Sequence, residues 1–479
     1  MNALLVDSLA AWWPELLLSF GALLTILAGA STKRAQPALS ICWMTLLAAA
    51  IALWRAPISQ ETGPFFGVIA CDAFSFIIRW MMLGLLAIVL LMVAGSREVK
   101  AWVRGEYLSL VLLAGVGMML MAEANHLLVA YLAMELVSLS SYVLVGLLDD
   151  ARSAEASLKY LLFGALASGI MLFGMSLLFG LTGTLEFAQL LQATRGLGGA
   201  AASMVLMAVA LMLAGLAFKI SMAPFHLWTP DAYEGAPVPV AAMLSVGPKA
   251  AGMALLLRLV QALMPTWTAL VPLLATLTVL TMTLGNLVAL VQSNVKRLLA
   301  YSTIAQVGYV LIGFVVNSQA GLVALLVSLA AYLFMNLGVF ACAVAVIDAT
   351  GSESVEAFRG LASRAPALAL WCAVFLLSLA GIPPLLGFLG KFLLFGSAIA
   401  AGQVWLALAG VVNSAIALYY YVNIIRLMYL VTPQPATPIR IALPLRLAVG
   451  VCAIGTLVLG LFPGGLYSWI RSAAFVSLL

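Results

Sequence analysis

The sequence predicts an all-α polytopic membrane protein of about fourteen transmembrane helices. Of its 479 residues, 65% are hydrophobic and only 8% are charged, and apolar runs recur from Trp12 to Leu461. Soluble domains average roughly 45–50% apolar and 25% charged residues. A water-soluble fold could not bury this much apolar surface, so we expect one membrane domain.

The apolar runs have the length of membrane spans. A helix needs roughly 17–25 such residues to cross the hydrocarbon core, and fourteen runs qualify: 12–30, 37–54, 73–94, 105–122, 126–147, 157–181, 201–223, 238–262, 268–291, 298–316, 319–347, 366–400, 404–430 and 441–462. Each should be a helix, because a backbone in lipid must satisfy its own hydrogen bonds and these runs lack the alternation of barrel strands. An even number of spans places both termini on one side.

Several kinds of site are not expected from the sequence. The N-terminus has no positive n-region and carries Asp7 and Glu15, so the first helix should remain in the mature protein. No GxGxxG motif and no basic cluster with interleaved aromatic residues occurs, so neither a nucleotide site nor a nucleic-acid partner is expected. Five scattered cysteines, without metal-ligand spacing, predict no disulfide and no metal site: Cys42, Cys71, Cys342, Cys372 and Cys452.

The positive charges predict the orientation. The loops on one side hold fourteen Lys and Arg residues: Lys33, Arg34, Arg97, Lys100, Arg104, Arg152, Lys159, Lys296, Arg297, Arg359, Arg364, Arg426, Arg440 and Arg446. The other side holds five: Arg55, Arg79, Arg195, Arg258 and Arg471. By the positive-inside rule the first side is cytoplasmic, and both termini then face outward.

Two short similarities predict an inverted repeat. YVLVG at 142–146 recurs as YVLIG at 309–313, five spans later, and an odd offset means opposite orientation. The seventh and twelfth spans, also five apart, are both interrupted by proline, at about 222–226 and 382–387. Paired interrupted helices are typical of transporters with an ion site at the repeat interface.

The expected division of the chain follows from this repeat. It comprises 1–104 with the first three helices, 105–262 as the first five-helix repeat, 268–430 as the second, and 431–479 as the last helix and tail.

Three lysines belong to neither of the two sets of loop charges and lie within predicted spans: Lys219 in span 7, Lys249 in span 8 and Lys391 in span 12. A carboxylate, Glu135, lies near the middle of span 5. A charge at a helix centre costs roughly 2.5–3.5 kcal/mol on insertion scales, so these residues should face protein or water. Because burial and neighbouring charges tune lysine and glutamate protonation, this row is typical of a proton relay. A structural ion pair between Glu135 and Lys219 is the alternative, although it leaves the other two lysines unexplained. His226 either joins the relay or lines the break at Pro224.

These residues lie within segments that resemble a known family: MELVSLSSYVLVG (134–146), RSAEASLKYLLFGALASG (152–169), GLAFKISMAPFHLWTPDAYEGAPVPVAAMLSVGPKAAG (215–252), NVKRLLAYSTIAQVGY (294–309) and GIPPLLGFLGKF (381–392). Over nearly the whole chain the sequence resembles the antiporter-like membrane subunits of respiratory complex I, the proton-pumping NADH:quinone oxidoreductase, and among them the subunit N family. Subunit M usually has glutamate at the position of Lys391, and subunit L carries a long lateral helix after its last spans, whereas about seventeen residues follow span 14 here. Both comparisons lead us to expect the subunit N family.

The resemblance implies a fourteen-helix fold with two inverted five-helix repeats and broken helices 7 and 12. It implies proton translocation through Glu135, Lys219, Lys249 and Lys391, in a translocase subunit of the bacterial inner membrane. It further implies that NADH, FMN, the iron–sulfur clusters and the quinone site belong to partner subunits, so this chain should hold no cofactor and no redox site of its own. The expected partners are the other membrane subunits, the hydrophilic arm reached through them, and the lipid bilayer.

Two other functions fit a row of buried charges. A free-standing cation/proton antiporter would also need buried Lys and Glu, whereas a structural membrane scaffold would not depend on the charge of the lysines.

Overall fold

The chain is almost wholly α-helical in the computed structural model, which describes residues 2–32, 35–58, 65, 67–99, 103–432 and 438–476. No strand occurs in these ranges beyond three isolated β-bridges. The helices are α1 Asn2–Thr32, α2 Ala35–Arg55, α3 Ala73–Gly95, α4 Arg104–Glu123, α5 Leu127–Val145, α6 Ala151–Thr182, α7 Phe187–Thr194, α8 Gly199–Ile220, α9 Trp228–Gly235, α10 Val238–Ala262, α11 Met264–Ala289, α12 Val295–Val316, α13 Gln319–Thr350, α14 Leu361–Arg364, α15 Pro366–Ala380, α16 Leu386–Ala400, α17 Val404–Leu430, α18 Leu443–Leu461 and α19 Gly464–Val476.

The predicted spans are confirmed as helices. Thirteen described helices are long and apolar enough to cross a membrane, and the predicted twelfth span, 366–400, consists of the two shorter apolar helices α15 and α16. Some helices begin earlier than the apolar runs: α6 starts at Ala151 because the Asp150 carboxylate accepts a hydrogen bond from the Ser153 amide. Polar capping residues therefore extend helices beyond their hydrophobic stretch. Lys33, Arg34 and Lys100 of the predicted cytoplasmic set lie outside the described residues.

Both predicted helix interruptions are present. Helix α8 ends at Ile220; the next residue, Ser221, has a left-handed backbone (φ 64°), and the chain turns before α9 begins at Trp228. Helix α15 ends at Ala380 and is likewise followed by a residue with a left-handed backbone, Gly381 (φ 93°), before α16 begins at Leu386. Pro224 and Pro383 lie in these turns, where a residue without a backbone N–H ends regular helical hydrogen bonding.

The two halves of the chain repeat the same order of elements. Helices α6 and α13 both have 32 residues, and each ends at a glycine with a left-handed backbone. A β-bridge joins His126 to Glu186 across the first half, and a matching bridge joins Asn294 to Ser354 in the second. Five crossings separate the bridges, so they lie at opposite ends of the bundle. This correspondence supports the proposed division into repeats at 105–262 and 268–430.

Helices α10, α12 and α13 form the centre of the bundle. The apolar stretch of α10 is buried along its whole length, and those of α12 and α13 nearly so. Outer helices expose large apolar side chains instead, among them Leu132 and Leu139 of α5 and Leu166 of α6. Apolar surface can face outward only in lipid or against another apolar subunit. The charged residues predicted within the spans therefore lie in the interior of a membrane bundle.

Candidate functional site

Lys219 lies in the last turn of α8, immediately before the break. Its side chain is only 1% exposed, and its ammonium donates a hydrogen bond of 3.0 Å to the Ser138 hydroxyl of α5. The Ser138 hydroxyl in turn donates to the Met134 carbonyl of its own helix. A buried ammonium without polar partners would be costly, so Ser138 is the group that stabilises the charged form of Lys219.

Glu135 lies one turn before Ser138 on α5 and is half-buried. The Ser168 hydroxyl of α6 donates a short hydrogen bond to its carboxylate. Glu135 and Lys219 are near enough to interact electrostatically, yet they form no ion pair within 4.0 Å among the described residues. The hydrogen-bond partner of the Lys219 ammonium is the Ser138 hydroxyl instead. The structure therefore shows no direct ion pair between Glu135 and Lys219 among the described residues.

Lys249 lies near the middle of the central helix α10 and is 1% exposed. Its ammonium lies 4.5 Å from the centre of the Trp228 ring and 5.3 Å from that of Tyr233. It makes no hydrogen bond to any described residue. Both rings belong to α9, the short helix that follows the break after α8, so the path of the chain after this break places the two aromatic rings next to Lys249. Aromatic faces attract a cation without fixing its proton in a hydrogen bond.

Lys391 lies on α16, after the second break, and is 7% exposed. Its ammonium donates hydrogen bonds of 3.0 Å to the carbonyls of Leu379 and Ala380, and it lies 4.4 Å from the Tyr309 ring centre. The two carbonyls end α15, and the end of a helix carries a partial negative charge. The broken helix thus provides the negative group that no carboxylate supplies. The Gly381 backbone comes so close that a β-carbon would lie 3.0 Å from the lysine chain.

Further buried polar residues lie between Lys249 and Lys391. The Gln306 amide donates to the Leu379 carbonyl at 3.1 Å, and the Tyr332 hydroxyl donates to Thr303 at 2.9 Å. The Asn336 amide donates to the Ser245 hydroxyl at 2.6 Å. None of these residues is among those predicted from the sequence, although polar side chains in the middle of apolar runs were the available signal.

His226 lies in the turn between α8 and α9, with 9% exposure. Its Nδ1 atom has no hydrogen-bond partner among the described residues, and no hydrogen bond joins it to Lys219. The structure therefore places His226 along the break, and a role in the relay stays a prediction.

A cavity borders the row of lysines: it has a volume of about 360 Å³ and opens beside Lys391, between Phe392, Phe395 and Ser414.

No group of three or more His, Cys, Asp or Glu side chains in the described part of the chain is arranged to hold a metal ion.

The ends of α6, α9 and α12 are joined by an ion network. Glu155 and Lys159 of α6 form an ion pair at 2.7 Å, and Lys159 also contacts Asp231 at 3.1 Å. Arg297 binds Asp231 at 2.8 Å and Glu234 at 2.7 Å. Burial raises the pKa of Asp231, but the bonds from Arg297 and Lys159 outweigh it and hold this pKa below its usual value. Asp231 and Glu234 are therefore both held in ion pairs with Arg297.

Buried lysines on broken helices, within two inverted repeats, define the antiporter-like class of membrane proteins. The family model described as "NADH:quinone oxidoreductase/Mrp antiporter, TM" matches residues 124–417. The chain is 43% identical to NADH-quinone oxidoreductase subunit N 2 of Sorangium cellulosum, with 97% of each chain covered. It is 38% identical to subunit N of an Anaeromyxobacter species, over 97% of this chain and 96% of the relative.

A solved structure agrees with these relatives. A chain of respiratory complex I from Thermus thermophilus, solved with bound aureothin, is 34% identical and superimposes with a TM-score of 0.79, over 95% of this chain and 98% of the other. This chain belongs to the family of NADH-quinone oxidoreductase subunit N.

Proposed function

We propose that this chain is a proton-translocating membrane subunit of NADH:quinone oxidoreductase, coupling quinone reduction elsewhere in the complex to proton movement through buried residues. The observation that carries the proposal is the set Lys219, Lys249 and Lys391, each at most 7% exposed and none in an ion pair with a described carboxylate. Structural lysines in a membrane interior would be expected to have a charged partner. Ammonium groups held only by a hydroxyl, aromatic rings and carbonyls can instead release and rebind protons.

The proposed path runs from Glu135 through Lys219 and Lys249 to Lys391. Loss of a proton from Lys219 leaves an amine that still reaches the Ser138 hydroxyl, so neither state is without a partner. A positive charge on Lys219 repels one on Lys249, because both lie in the same interior of low polarity. Protonation of one lysine therefore favours release from its neighbour. We place His226 beside this path as a possible relay group.

The redox chemistry is assigned to other subunits. NADH, FMN, iron–sulfur clusters and the quinone would be bound by partner chains, and this chain would act as a translocase subunit without its own redox or nucleotide site. Its partners would be the other membrane subunits, the hydrophilic arm reached through them, and the lipid bilayer. The outward-facing leucines of α5 and α6 are suited to such apolar contacts.

The proposed location is the bacterial inner membrane, with both termini and the 182–200 loop outside. Of the fourteen predicted cytoplasmic cations, eleven are described, and Arg152, Lys159, Lys296 and Arg297 of this set lie together in the network at one end of the bundle. That grouping supports the orientation derived from the positive-inside rule.

The proposal is tested by replacing Lys219 in the assembled complex. Lys219→Ala should impair proton translocation and coupled turnover while NADH oxidation with an artificial acceptor continues, because the redox centres lie elsewhere. Lys219→Arg should not fully restore pumping, since a guanidinium keeps its proton where an ammonium can release it. A free-standing antiporter would instead be found without NADH-oxidising partners on purification, and a structural scaffold would pump normally with Lys219→Ala.

A further inference from the structure

A second group of buried charges lies at the end of the bundle where α3 begins and α4 ends. This group, called here the Arg79 cluster, consists of Glu15, Asp72, Arg79, Glu123 and Arg258. The loop-based charge count assigned Arg79 and Arg258 to a membrane face, but both are buried, at 2% and 8% exposure. They are buried because carboxylates of the neighbouring helices bind them.

One ion pair of the Arg79 cluster is complete. The Arg258 guanidinium donates two hydrogen bonds, of 2.7 and 2.8 Å, to the Asp72 carboxylate. Its Nε–H group donates a third, of 2.9 Å, to the Ala122 carbonyl. Two parallel bonds of this kind are the strongest arrangement for a guanidinium and a carboxylate. Asp72, with 20% exposure, is also the member through which the cluster reaches solvent.

The charges of the other three members do not balance, because Glu15 and Glu123 are two carboxyl groups that share the single guanidinium of Arg79. Arg79 donates two bonds to Glu15, of 2.9 and 2.6 Å, and one of 3.0 Å to the Ala11 carbonyl. Glu123 Oε1 lies 3.0 Å from Arg79 Nε, which already donates to Glu15. The Cys71 thiol approaches the same Oε1 at 3.8 Å, and Glu123 Oε2 has no partner among the described residues.

The charge count then requires a proton. Among the side chains that the structure describes, three carboxyl groups face two guanidiniums, and Glu15 and Glu123 are both 0% exposed. Arginine does not give up its proton in proteins, and an uncompensated charge buried in a membrane protein is strongly unfavourable. A metal cation does not suit the site, because the Arg79 guanidinium occupies its centre. One carboxyl must therefore be neutral, and Glu123 is the one with the fewest donors.

We propose that Glu123 is a proton-binding site, separate from the row of lysines, that exchanges its proton with the aqueous phase past Asp72. The step is reversible protonation of the Glu123 carboxylate by a proton from water, with no other bond changed. The titratable and charged groups that face it are Glu15, Cys71, Asp72, Arg79 and Arg258. Arg258 follows Lys249 by nine residues on α10, roughly 13 Å along the helix, so one rigid helix connects the two sites.

The test is infrared spectroscopy of the purified, intact complex at neutral pH. A buried neutral carboxyl has its own carbonyl stretching band, and this band shifts in D₂O when its proton exchanges. Subtracting the spectrum of Glu123→Gln from that of the wild type should reveal one such band. Glu15→Gln should remove the same band, because two carboxylates then face two guanidiniums and Glu123 can ionise. Glu356→Gln is the matched control, since this exposed carboxylate pairs with Arg359 and should contribute no such band.

Glu123→Gln should assemble like the wild type, because an amide has the shape and charge of a neutral carboxyl. The proposal is overturned if the Glu123→Gln spectrum equals that of the wild type, if the band persists in Glu15→Gln, or if Glu123→Gln fails to assemble. The measurement needs no turnover, so its failure is distinguishable from failure of the proposed pumping function.

Discussion

Replacing Ser138 with alanine isolates the group that stabilises protonated Lys219. The hydroxyl accepts a 3.0 Å hydrogen bond from the ammonium and is the only hydrogen-bond partner of Lys219 in the described part of the chain. A hydrogen bond to a charged group contributes ~1.5–3 kcal/mol. The neutral amine also reaches this hydroxyl, and a hydrogen bond between neutral groups contributes about 0.5–1.5 kcal/mol. The ammonium therefore loses about 1–1.5 kcal/mol more than the amine, which should lower the ratio of ammonium to amine at Lys219 by a factor of about 5 to 13. Glu135 is unchanged in this variant, so any effect arises from the hydroxyl.

The assay is the pH dependence of NADH-driven proton pumping by the assembled complex in proteoliposomes. Ser138→Ala should move the alkaline limb of the profile to lower pH by about one unit. Ser141→Ala is the matched control: it is on the same helix and its hydroxyl donates to the Val137 carbonyl at 2.6 Å, away from Lys219. Identical profiles for the wild type and both variants would refute the assignment of Ser138.

Two further predictions concern the ends of the bundle. Burial raises the pKa of Glu98 to about 7, despite the attraction of Lys296 and the bond from the Val238 amide. Because the folded pKa is raised above the ordinary 4.5, the favourable contribution of Glu98 is present below about pH 4.5 and is lost as the pH rises through about 7. Glu98→Gln should therefore reduce the change in the melting temperature of the complex between about pH 4.5 and pH 7. The same pH dependence of the melting temperature in the wild type and the variant would contradict this. For orientation, an impermeant thiol reagent added outside should label Arg195→Cys but not Arg359→Cys, and the opposite pattern would reverse the proposed topology.

The helix breaks and the buried charges could be predicted from the sequence. Proline lacks a backbone donor, and Pro224 and Pro383 fall in two spans that lie five apart, so an interruption could be predicted at both. Residue type alone was not enough, because Pro248 and Pro272 lie inside the continuous helices α10 and α11. A lysine within an apolar run is rare enough to stand out in one sequence, as Lys219, Lys249 and Lys391 did.

The partners of those lysines could not be predicted. Lys391 is bound by the carbonyls of Leu379 and Ala380, and every residue has a carbonyl, so nothing in the sequence marks these two. The contact between Lys249 and the Trp228 ring depends on where the chain goes after the break.

The Arg79 cluster was missed for a different reason. Its members come from four helices and the residue before α3. All except Glu15, which lies near the middle of α1, are toward a helix end, where a charge is ordinarily solvated. Arg79 and Arg258 therefore counted as charges on a membrane face. Only the packing of the helices showed that both are enclosed with carboxylates.

The central claim is that the buried lysines conduct protons. The most direct measurement is the number of protons pumped per NADH by a fully assembled Lys219→Ala/Lys391→Ala complex in proteoliposomes, with NADH oxidation by an artificial acceptor as the assembly control. A lower stoichiometry or abolished coupled turnover, with the control activity retained, is the predicted result. Normal stoichiometry in the double variant would contradict a proton-conducting role for these residues.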